Sequence, residues 1–276
     1  MRLEDLDGPR VKPGMADAAL EDLEWLGLDW DGPPHLQSTG TERFAAALDV
    51  LRSRERIYPC VCTRADVRAA LSAPQQGDRE VRYPGTCRGR FENVAEARRR
   101  TGREPGLRFE VEAAPVEIRD GFAGMHEFDV AREVGDFLVA RRDGSPAYQL
   151  AVVVDDAAQG VTEVLRGDDL LPSAARQWLL QRALAVPSVA WFHVPLVVDS
   201  DGRRLAKRAD DLSLATLREG GTDPRAIVAW AARNSGLDVL ERVSATECVV
   251  RFDLARVPHR PVVLDGGTVD WLRTAK

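Results

Sequence analysis

The sequence predicts an α/β fold that carries an insertion. Short apolar runs typical of buried strands alternate with amphipathic helical patterns in both halves of the chain, which favours a mainly parallel sheet. Residues 72–106 interrupt this alternation with a polar, turn-rich and basic stretch that begins "SAPQQGDREVRYPGTCRGR". We therefore expect a sheet covered by helices, with this stretch inserted into it.

The composition places the chain among folded globular proteins. Of its 276 residues, 44% are hydrophobic and 30% are charged, which allows a substantial core. The formal net charge of -6 argues against nonspecific nucleic-acid binding, because that requires Lys and Arg contacts to phosphates. A local basic face is still expected where arginines cluster, at Arg98, Arg99, Arg100, Arg103 and Arg108.

Targeting signals are not recognisable in this sequence. No stretch approaches the roughly 18 uninterrupted apolar residues of a membrane span, and the first residues lack the apolar core of a signal peptide. Four cysteines in such a chain point to the reducing cytosol rather than to a disulfide scaffold. We expect a cytoplasmic monomer with no membrane association.

The first half of the chain opens with two predicted helices. Apolar residues recur at helical spacing over about residues 13–27 and 41–54. "IYPCVC" is typical of a short extended segment, and Thr63 can cap a small helix after it. An Arg-rich helix is expected late in the insertion.

The second half is predicted to be richer in strands. "LRFEV" and "VEIRD" indicate strands, and "GDFLVARRDGSPAYQLAVVVDD" indicates a hairpin of two apolar runs joined by a turn. "VTEVLRGDDLL" predicts a strand that ends in a charged loop, and "SAARQWLLQRALAV" predicts a helix. "VAWFHVPLVV" is a further apolar run. In "TDPRAIVAWAARNSGL", Thr222 or Asp223 can cap a helix that has Pro224 in its first turn and Gly236 after its end.

A cysteine cluster is the first candidate site. Cys60, Cys62 and Cys87 lie close together in the sequence, and three thiolates suit a tetrahedral zinc ion with one position left for another ligand. Tyr83 could supply an oxygen to that position, although Tyr is an unusual zinc ligand. Free thiols in a reduced protein are the alternative, and spacing alone leaves both interpretations open. Cys248 is expected to be a free cysteine in the core.

A basic loop is the second candidate site. "DSDGRRLAKRADD" places Arg203, Arg204, Lys207 and Arg208 on a turn after a buried strand. A solvated hairpin is the interpretation that spacing favours. The alternative is a mobile clamp whose cations neutralise phosphate charge in a transition state.

Three further polar residues lie where a ligand could bind. Arg166 ends a predicted strand, and ligands of open α/β sheets bind beyond the carboxyl ends of strands, where a guanidinium matches a carboxylate or phosphate. Tyr148 is by default a core residue with a locally satisfied hydroxyl. Glu4 can equally be a structural partner of Arg2 or Arg10.

Taken together and in order, these motifs resemble one family. "RLEDLDGPR", the CVC…YPGTC cluster, "YQLAVVVDD", "VTEVLRGDDLL" and "HVPLVVDSDGRRLAKR" are similar to the glutamyl-queuosine tRNA(Asp) synthetases, which are shortened relatives of glutamyl-tRNA synthetase. The resemblance extends from residue 1 to about residue 236. It implies a Rossmann-like class I synthetase catalytic domain with a zinc-binding insertion and a small helical C-terminal part.

The resemblance also implies an activity. The family activates L-glutamate with ATP and Mg²⁺ without needing tRNA, and transfers the glutamyl group to the queuosine base of tRNA(Asp). Glu4 would then hold the ammonium group of glutamate, while Tyr148 and Arg166 position the rest of it. Lys207 matches the second lysine of a Lys-Met-Ser-Lys-type loop, where Arg204 and Arg208 would also face ATP. One Zn²⁺ would be held by Cys60, Cys62, Tyr83 and Cys87.

The same resemblance implies a division of the chain. We expect a first catalytic part, a zinc-binding insertion, a second catalytic part, and a phosphate-clamp loop with a helical C-terminal part, at residues 1–57, 58–107, 108–195 and 196–276. The loop departs from the family pattern, because Arg204 stands where a lysine is usual and Ala206 replaces a serine. The lost hydroxyl is expected to cost no more than about 1 kcal/mol.

A larger departure concerns the chain start. The family's first strand, with its Ser-Pro-Ser/Thr-Gly turn and His-x-Gly-type adenylate motif, belongs upstream of "RLEDLD". We expect the natural start to lie some tens of residues upstream. The alternative is a catalytically inactive RNA-binding remnant of the same family. A truncated glutamyl-tRNA synthetase that charges the 3′ end is a third interpretation, which the length disfavours.

Overall fold

The computed structural model of the protein describes residues 1–6, 13–70, 81–205 and 213–276, which form two compact units. The first unit contains residues 1–35, 165–169 and 193–276, and the second contains residues 36–164 and 170–192. Lys207 and Arg208 lie outside the described residues.

The second unit is built from helices and short strands. Its helices are α2 (Thr41–Ser53), α3 (Arg64–Ala69), α4 (Val94–Thr101), α5 (Val130–Glu133), α6 (Tyr148–Ala158) and α7 (Leu171–Leu184). Its strands are β3 (Ile57–Cys60), β4 (Gly106–Phe109), β5 (Val116–Asp120), β6 (Gly124–Phe128) and β7 (Phe137–Ala140). Two further strands, β8 (Glu163–Gly167) and β9 (Ala190–Val194), begin in this unit and end in residues of the first.

Two sheets organise these strands. One has the order β3-β4-β7 and the other the order β6-β5-β9-β8. β4 runs antiparallel to both of its neighbours, with Cys60 opposite Gly106 and Phe109 opposite Phe137. β5 is antiparallel to β6 and parallel to β9. The fold is therefore a mixed α/β structure. The pair β5–β9 is parallel as expected, whereas the pairs β3–β4, β4–β7 and β5–β6 are antiparallel and differ from the expected mainly parallel sheet.

The most deeply buried helix of this unit is α6, which packs against α2, α7 and β7. Its residues from Gln149 to Asp156 are all buried. The predicted hairpin is therefore wrong, since "YQLAVVVDD" forms this helix and only "FLVA" forms a strand. A short apolar run that is fully buried has the same pattern in a helix and in a strand, so the Val-rich run of α6 resembles a buried strand.

A buried acid anchors the C-terminal part of α6. The side chain of Asp155 is fully buried, and it forms an ion pair with Arg43 of α2. Gln37, which precedes α2, donates a second hydrogen bond to the same carboxylate at 2.6 Å. The charge of Asp155 is thus compensated inside the unit, as a buried carboxylate requires.

The first unit contains the two ends of the chain. Its helices are α1 (Met15–Trp25), α8 (Leu214–Glu219), α9 (Pro224–Asn234), α10 (Ala245–Val249) and α11 (Gly266–Thr274). Its strands are β1 (Arg2–Leu3), β10 (Val197–Val198) and β11 (Val262–Val263). The first residue of β2 (His35–Leu36) belongs to this unit and the second residue to the other unit. β10 and β11 pair in parallel. None of the helices in the described ranges is long and apolar enough to cross a membrane.

Local signals in the sequence explain several helix ends. Thr63 caps α3 through a reciprocal pair of hydrogen bonds with Asp66, and the Asp223 side chain accepts the Arg225 N–H at the start of α9. Gly236 follows α9 with φ 81°, a conformation that favours glycine. The helices predicted at 13–27 and 41–54, the Arg-rich helix and the strands "VEIRD" and "VTEVLRG" are confirmed. Cys248 is free as expected, but it is half-buried on α10 rather than in the core.

We expect the substitution Asp155→Asn to lower the free energy of unfolding by about 3 kcal/mol, because it leaves the Arg43 cation without its buried counter-charge. The matched control is Asp49→Asn, whose ion pair with Arg52 lies on the surface, with 73% of the Asp49 side chain exposed. Urea unfolding followed by circular dichroism measures both variants. Equal midpoints for the two variants would contradict the prediction.

Candidate active site and metal centre

Three sulfur atoms meet at one end of the sheet β3-β4-β7. Cys60 is the last residue of β3, Cys62 lies just before α3, and Cys87 lies in the segment that leads to α4. Their Sγ atoms all lie within 4.8 Å of one another, and those of Cys62 and Cys87 are 3.5 Å apart. Cys60 and Cys87 are buried, and Cys62 is half-buried. The structure therefore brings together the three cysteines that the sequence singles out.

Tyr83 lies against the same cluster. Its side chain is buried, and its Oη is 3.4 Å from the Sγ of Cys60 and 3.9 Å from that of Cys62. The backbone N–H of Cys87 donates to this oxygen at 2.8 Å. Gly135 packs against the backbone here, with φ 71°, and a Cβ at that position would meet the Tyr83 carbonyl oxygen at 2.3 Å. Tyr83 is thus held with its hydroxyl among the sulfurs.

The thiols of the cluster differ in acidity. Burial, together with the neighbouring thiols of Cys60 and Cys87, raises the pKa of Cys62 to about 12. Burial also raises the pKa of the Tyr83 phenol. Burial acts in the same direction on Cys87, but hydrogen bonds, chiefly with the backbone of Val61, outweigh it and hold the pKa of that thiol below its ordinary value. Because a metal ion binds thiolates, its binding here would release protons.

The donor set fits a single zinc ion. Around a tetrahedral zinc with Zn–S distances of about 2.3 Å, sulfur atoms lie about 3.8 Å apart. The separation of 3.5 Å between the sulfurs of Cys62 and Cys87, and the limit of 4.8 Å for all three, agree with that spacing. Among the described residues, these three cysteines are the group of three or more Cys, His, Asp or Glu side chains whose ligand atoms lie close enough together to hold a metal ion.

Sequence reasoning missed the residues that support the cluster. Arg108, grouped above with a basic face, donates to the Sγ of Cys60 at 3.3 Å, and its guanidinium lies 3.7 Å from the centre of the Tyr83 ring. Arg88 forms an ion pair with the buried Asp136. The position of Arg88 directly after Cys87 is a signal that the sequence offers, whereas nothing in the sequence points to Asp136.

Arg166 lies near the end of β8, as predicted, and is half-buried. Its Nε donates to Nε2 of His193 on β9 at 3.0 Å. His193 is only 1% exposed. The guanidinium is therefore tied to the neighbouring strand of the sheet. The one sequence signal for His193 is its position as a polar residue in the apolar run "WFHV".

The other two predicted glutamate contacts lie in different units. In the first unit, Glu4 follows β1 and forms an ion pair with Arg2 at 3.1 Å, which is one of the structural partners considered above. In the second unit, Tyr148 is the first residue of α6 and is 39% exposed. The default interpretation of Tyr148 as a core residue is therefore wrong.

The turn before the basic loop is held by hydrogen bonds to the carboxylate of Asp199. The Oδ1 atom of Asp199 accepts the backbone N–H of Asp201 at 3.0 Å and that of Arg203 at 2.8 Å. Arg204, which follows, forms an ion pair with Asp169 at 2.6 Å. Lys207 and Arg208 lie beyond the last described residue of this loop.

The arginines on and after α4 form ion pairs with nearby acidic residues. Arg98 pairs with Glu104, Arg100 with Glu96, and Arg103 with Asp66 of α3. These ion pairs reduce the positive field that the sequence predicts for this face.

Comparison with known proteins identifies the family. The family model described as tRNA synthetases class I (E and Q), catalytic domain, matches residues 1–271. A glutamyl-Q tRNA(Asp) synthetase of Symbiobacterium thermophilum is 45% identical over 98% of this chain and 86% of that protein. One of Rhodopirellula baltica is 40% identical over 98% of this chain and 88% of its own length.

A solved structure is similar in fold. A glutamate tRNA ligase from Elizabethkingia meningosepticum, crystallised with its amino acid, superposes with a TM-score of 0.80 at 24% identity. The alignment covers 98% of this chain, which spans 61% of the length of that solved chain. The fold, the family model and the relatives agree with the ordered motifs of the sequence. The chain belongs to the class I tRNA synthetase family (E and Q) and, within it, to the glutamyl-Q tRNA(Asp) synthetases.

Proposed function

We propose that the protein activates L-glutamate with ATP and Mg²⁺, without needing tRNA, and transfers the glutamyl group to the queuosine base of tRNA(Asp). The observation that carries the proposal is the match of 45% identity over 98% of this chain and 86% of a glutamyl-Q tRNA(Asp) synthetase. A match of this extent disfavours the inactive RNA-binding remnant. A truncated glutamyl-tRNA synthetase is disfavoured by the same relatives.

Arg166 is proposed to bind a carboxylate of glutamate. A guanidinium offers a fork of N–H donors that matches a carboxylate, and Arg166 presents it near the end of a strand. Tyr148 would position the amino acid from the first turn of α6, and Glu4 would hold the ammonium group. The exposure of Tyr148 and of the Glu4 carboxylate supports roles in contacts with a ligand.

The chemistry of activation calls for cations at the phosphates. A glutamate carboxylate attacks the α-phosphate of ATP, a bond to that phosphorus breaks, and pyrophosphate leaves with the negative charge. Mg²⁺ and the side chains of Lys207, Arg204 and Arg208 would stabilise this developing charge. The ordered Asp199 turn supports the proposal, because it fixes the point from which the basic loop starts.

Zinc is proposed to bind at Cys60, Cys62, Tyr83 and Cys87, in an insertion that spans residues 58–107. When bound it would act as a structural cross-link, because a site with four protein ligands is closed. The geometry of the sulfur cluster and the buried hydroxyl of Tyr83 support this proposal.

The proposed activity predicts two results with the purified protein. Glutamate should support ATP–pyrophosphate exchange without tRNA, and labelled glutamate should be transferred to tRNA(Asp) that carries queuosine but not to tRNA(Asp) that lacks it. The second tRNA is the matched control. Equal labelling of both tRNAs, or labelling of the 3′ end, would contradict the proposal.

The substitution Lys207→Ala should slow glutamate-dependent exchange by about 10²–10³-fold, because one preorganised charge contact to the transition state is lost. Arg203→Ala is the control, since Arg203 is exposed and paired with Asp201. Initial rates at saturating ATP and glutamate measure the effect. A rate for Lys207→Ala similar to that of the control variant would refute the role of Lys207.

Metal analysis tests the zinc proposal. We expect about one zinc per chain in the wild-type protein and in Cys248→Ser, and a large loss of zinc in Cys87→Ser, because only the latter removes a ligand. Inductively coupled plasma mass spectrometry measures the content, and thermal unfolding with and without a chelator measures the stabilisation. A zinc content in Cys87→Ser equal to that of Cys248→Ser would count against the site.

A further inference from the structure

We propose that Arg108 is the counter-cation of the proposed zinc centre. Its guanidinium donates to the Sγ of Cys60 and stacks on the ring of Tyr83, and there it balances the negative charge that the centre carries once zinc is bound. This role rests on the proposed zinc site and deepens it, because it concerns a positioning residue outside the four proposed ligands.

The pairing of β3 with β4 brings Arg108 to the cluster. Arg108 lies opposite Tyr58, and Cys60, two residues further along β3, lies opposite Gly106. Residues two apart on a strand share one face of the sheet, and diagonal neighbours on paired strands lie within reach of a long side chain. The register of two strands therefore places the guanidinium beside the sulfur, and residues held on regular elements keep their positions more accurately than residues on loops.

Three contacts hold the guanidinium in one orientation. Nε donates to the Sγ of Cys60 at 3.3 Å, and Nη1 donates to the backbone carbonyl oxygen of Asp136 at 2.6 Å. The central carbon of the guanidinium lies 3.7 Å from the centre of the Tyr83 ring, whose face attracts a cation. Two of the four proposed ligands are thus in contact with one positive group.

The charge of the zinc-bound centre gives this contact its purpose. Zn²⁺ bound by three thiolates is a net anion, and a phenolate from Tyr83 would increase its charge. Cys60 is only 2% exposed and Tyr83 only 3%, so water screens little of this charge. A buried charge is costly unless an opposite charge lies next to it. Arg108 supplies that opposite charge, so it favours the centre with zinc over the centre without metal and raises the affinity for zinc.

Two substitutions at Arg108 separate its charge from its shape. Arg108→Gln keeps a side chain that can donate to sulfur but removes the cation, whereas Arg108→Lys keeps the cation but loses the planar fork. We expect Arg108→Gln to bind zinc about tenfold or more weakly than the wild-type protein, the loss typical when a residue that supports a metal ligand is removed. Arg108→Lys should recover most of the loss. Competition with a chromophoric chelator of known zinc affinity measures the binding.

The matched control is Arg56→Gln. Arg56 precedes β3 at the end opposite Cys60, and its guanidinium lies 5.1 Å from the centre of the Phe109 ring and pairs with Glu112. Its zinc affinity should equal that of the wild-type protein, because this cation balances a carboxylate and not the sulfur cluster.

Each outcome has a separate meaning. Equal zinc affinities of Arg108→Gln and Arg56→Gln, or an Arg108→Lys variant that binds no more tightly than Arg108→Gln, would overturn the role of Arg108. A wild-type protein that binds no zinc would instead overturn the zinc proposal itself. Thermal unfolding shows whether each variant is folded, and Arg108→Met, which also lacks the cation, replaces Arg108→Gln if the latter does not fold.

Cobalt gives a spectroscopic readout that does not depend on activity. Co²⁺ can replace zinc in tetrahedral sites, and thiolate ligands then give a charge-transfer absorption band. A cation beside the sulfur lowers the energy of the sulfur electrons. We therefore expect this band at longer wavelength in Arg108→Gln than in the wild-type protein and in Arg56→Gln. The same wavelength in all three proteins would overturn the contact between the guanidinium and the metal-bound sulfur.

Discussion

The hydrogen bonds to the buried carboxylate of Asp136 fix the geometry on which the sulfur cluster depends. Tyr58 of β3 donates to it at 2.5 Å, the backbone N–H of Val111 donates at 2.9 Å, and Arg88 forms an ion pair with it. The strand that ends in the cluster and the segment that carries Cys87 are thereby tied to one charge. The cost of burying the Asp136 charge is offset only while all of these donors are in place, so the loss of one donor would destabilise the whole arrangement. The positions of Cys60 and Cys87 thus depend on a shared buried neighbour.

The arginines of the chain differ in the partners that surround their guanidinium groups. Arg98 and Glu104 form an exposed ion pair of a kind that adds little to stability or to a basic field. Arg108 stacks on the Tyr83 ring and thus supports the cluster. Arg166 donates through Nε to Nε2 of His193 on the neighbouring strand. A net charge of -6 therefore does not exclude an anionic substrate, because single guanidinium groups rather than the total decide local binding.

Much of the architecture could be predicted from the sequence, and the failures have physical reasons. Capping residues such as Thr63 and Asp223 act within a few residues of their helices, so both helix starts were predictable. The helix α6 is hard to recognise because its residues from Gln149 to Asp156 are all buried, so its Val-rich run resembles a buried strand. The three cysteines were found by spacing, whereas Asp136 and His193 contact partners far away in the sequence. Such contacts depend on which strands become neighbours, and local patterns do not determine strand order.

The ion pair between Arg204 and Asp169 connects the basic loop with the segment that follows Arg166. Asp169 lies three residues after Arg166, so the loop that is proposed to face ATP is tied close to the strand that is proposed to face glutamate. The Arg204 side chain is 69% exposed, and an exposed pair of this kind contributes at most about 1 kcal/mol. Breaking it is therefore inexpensive when phosphates compete for the guanidinium.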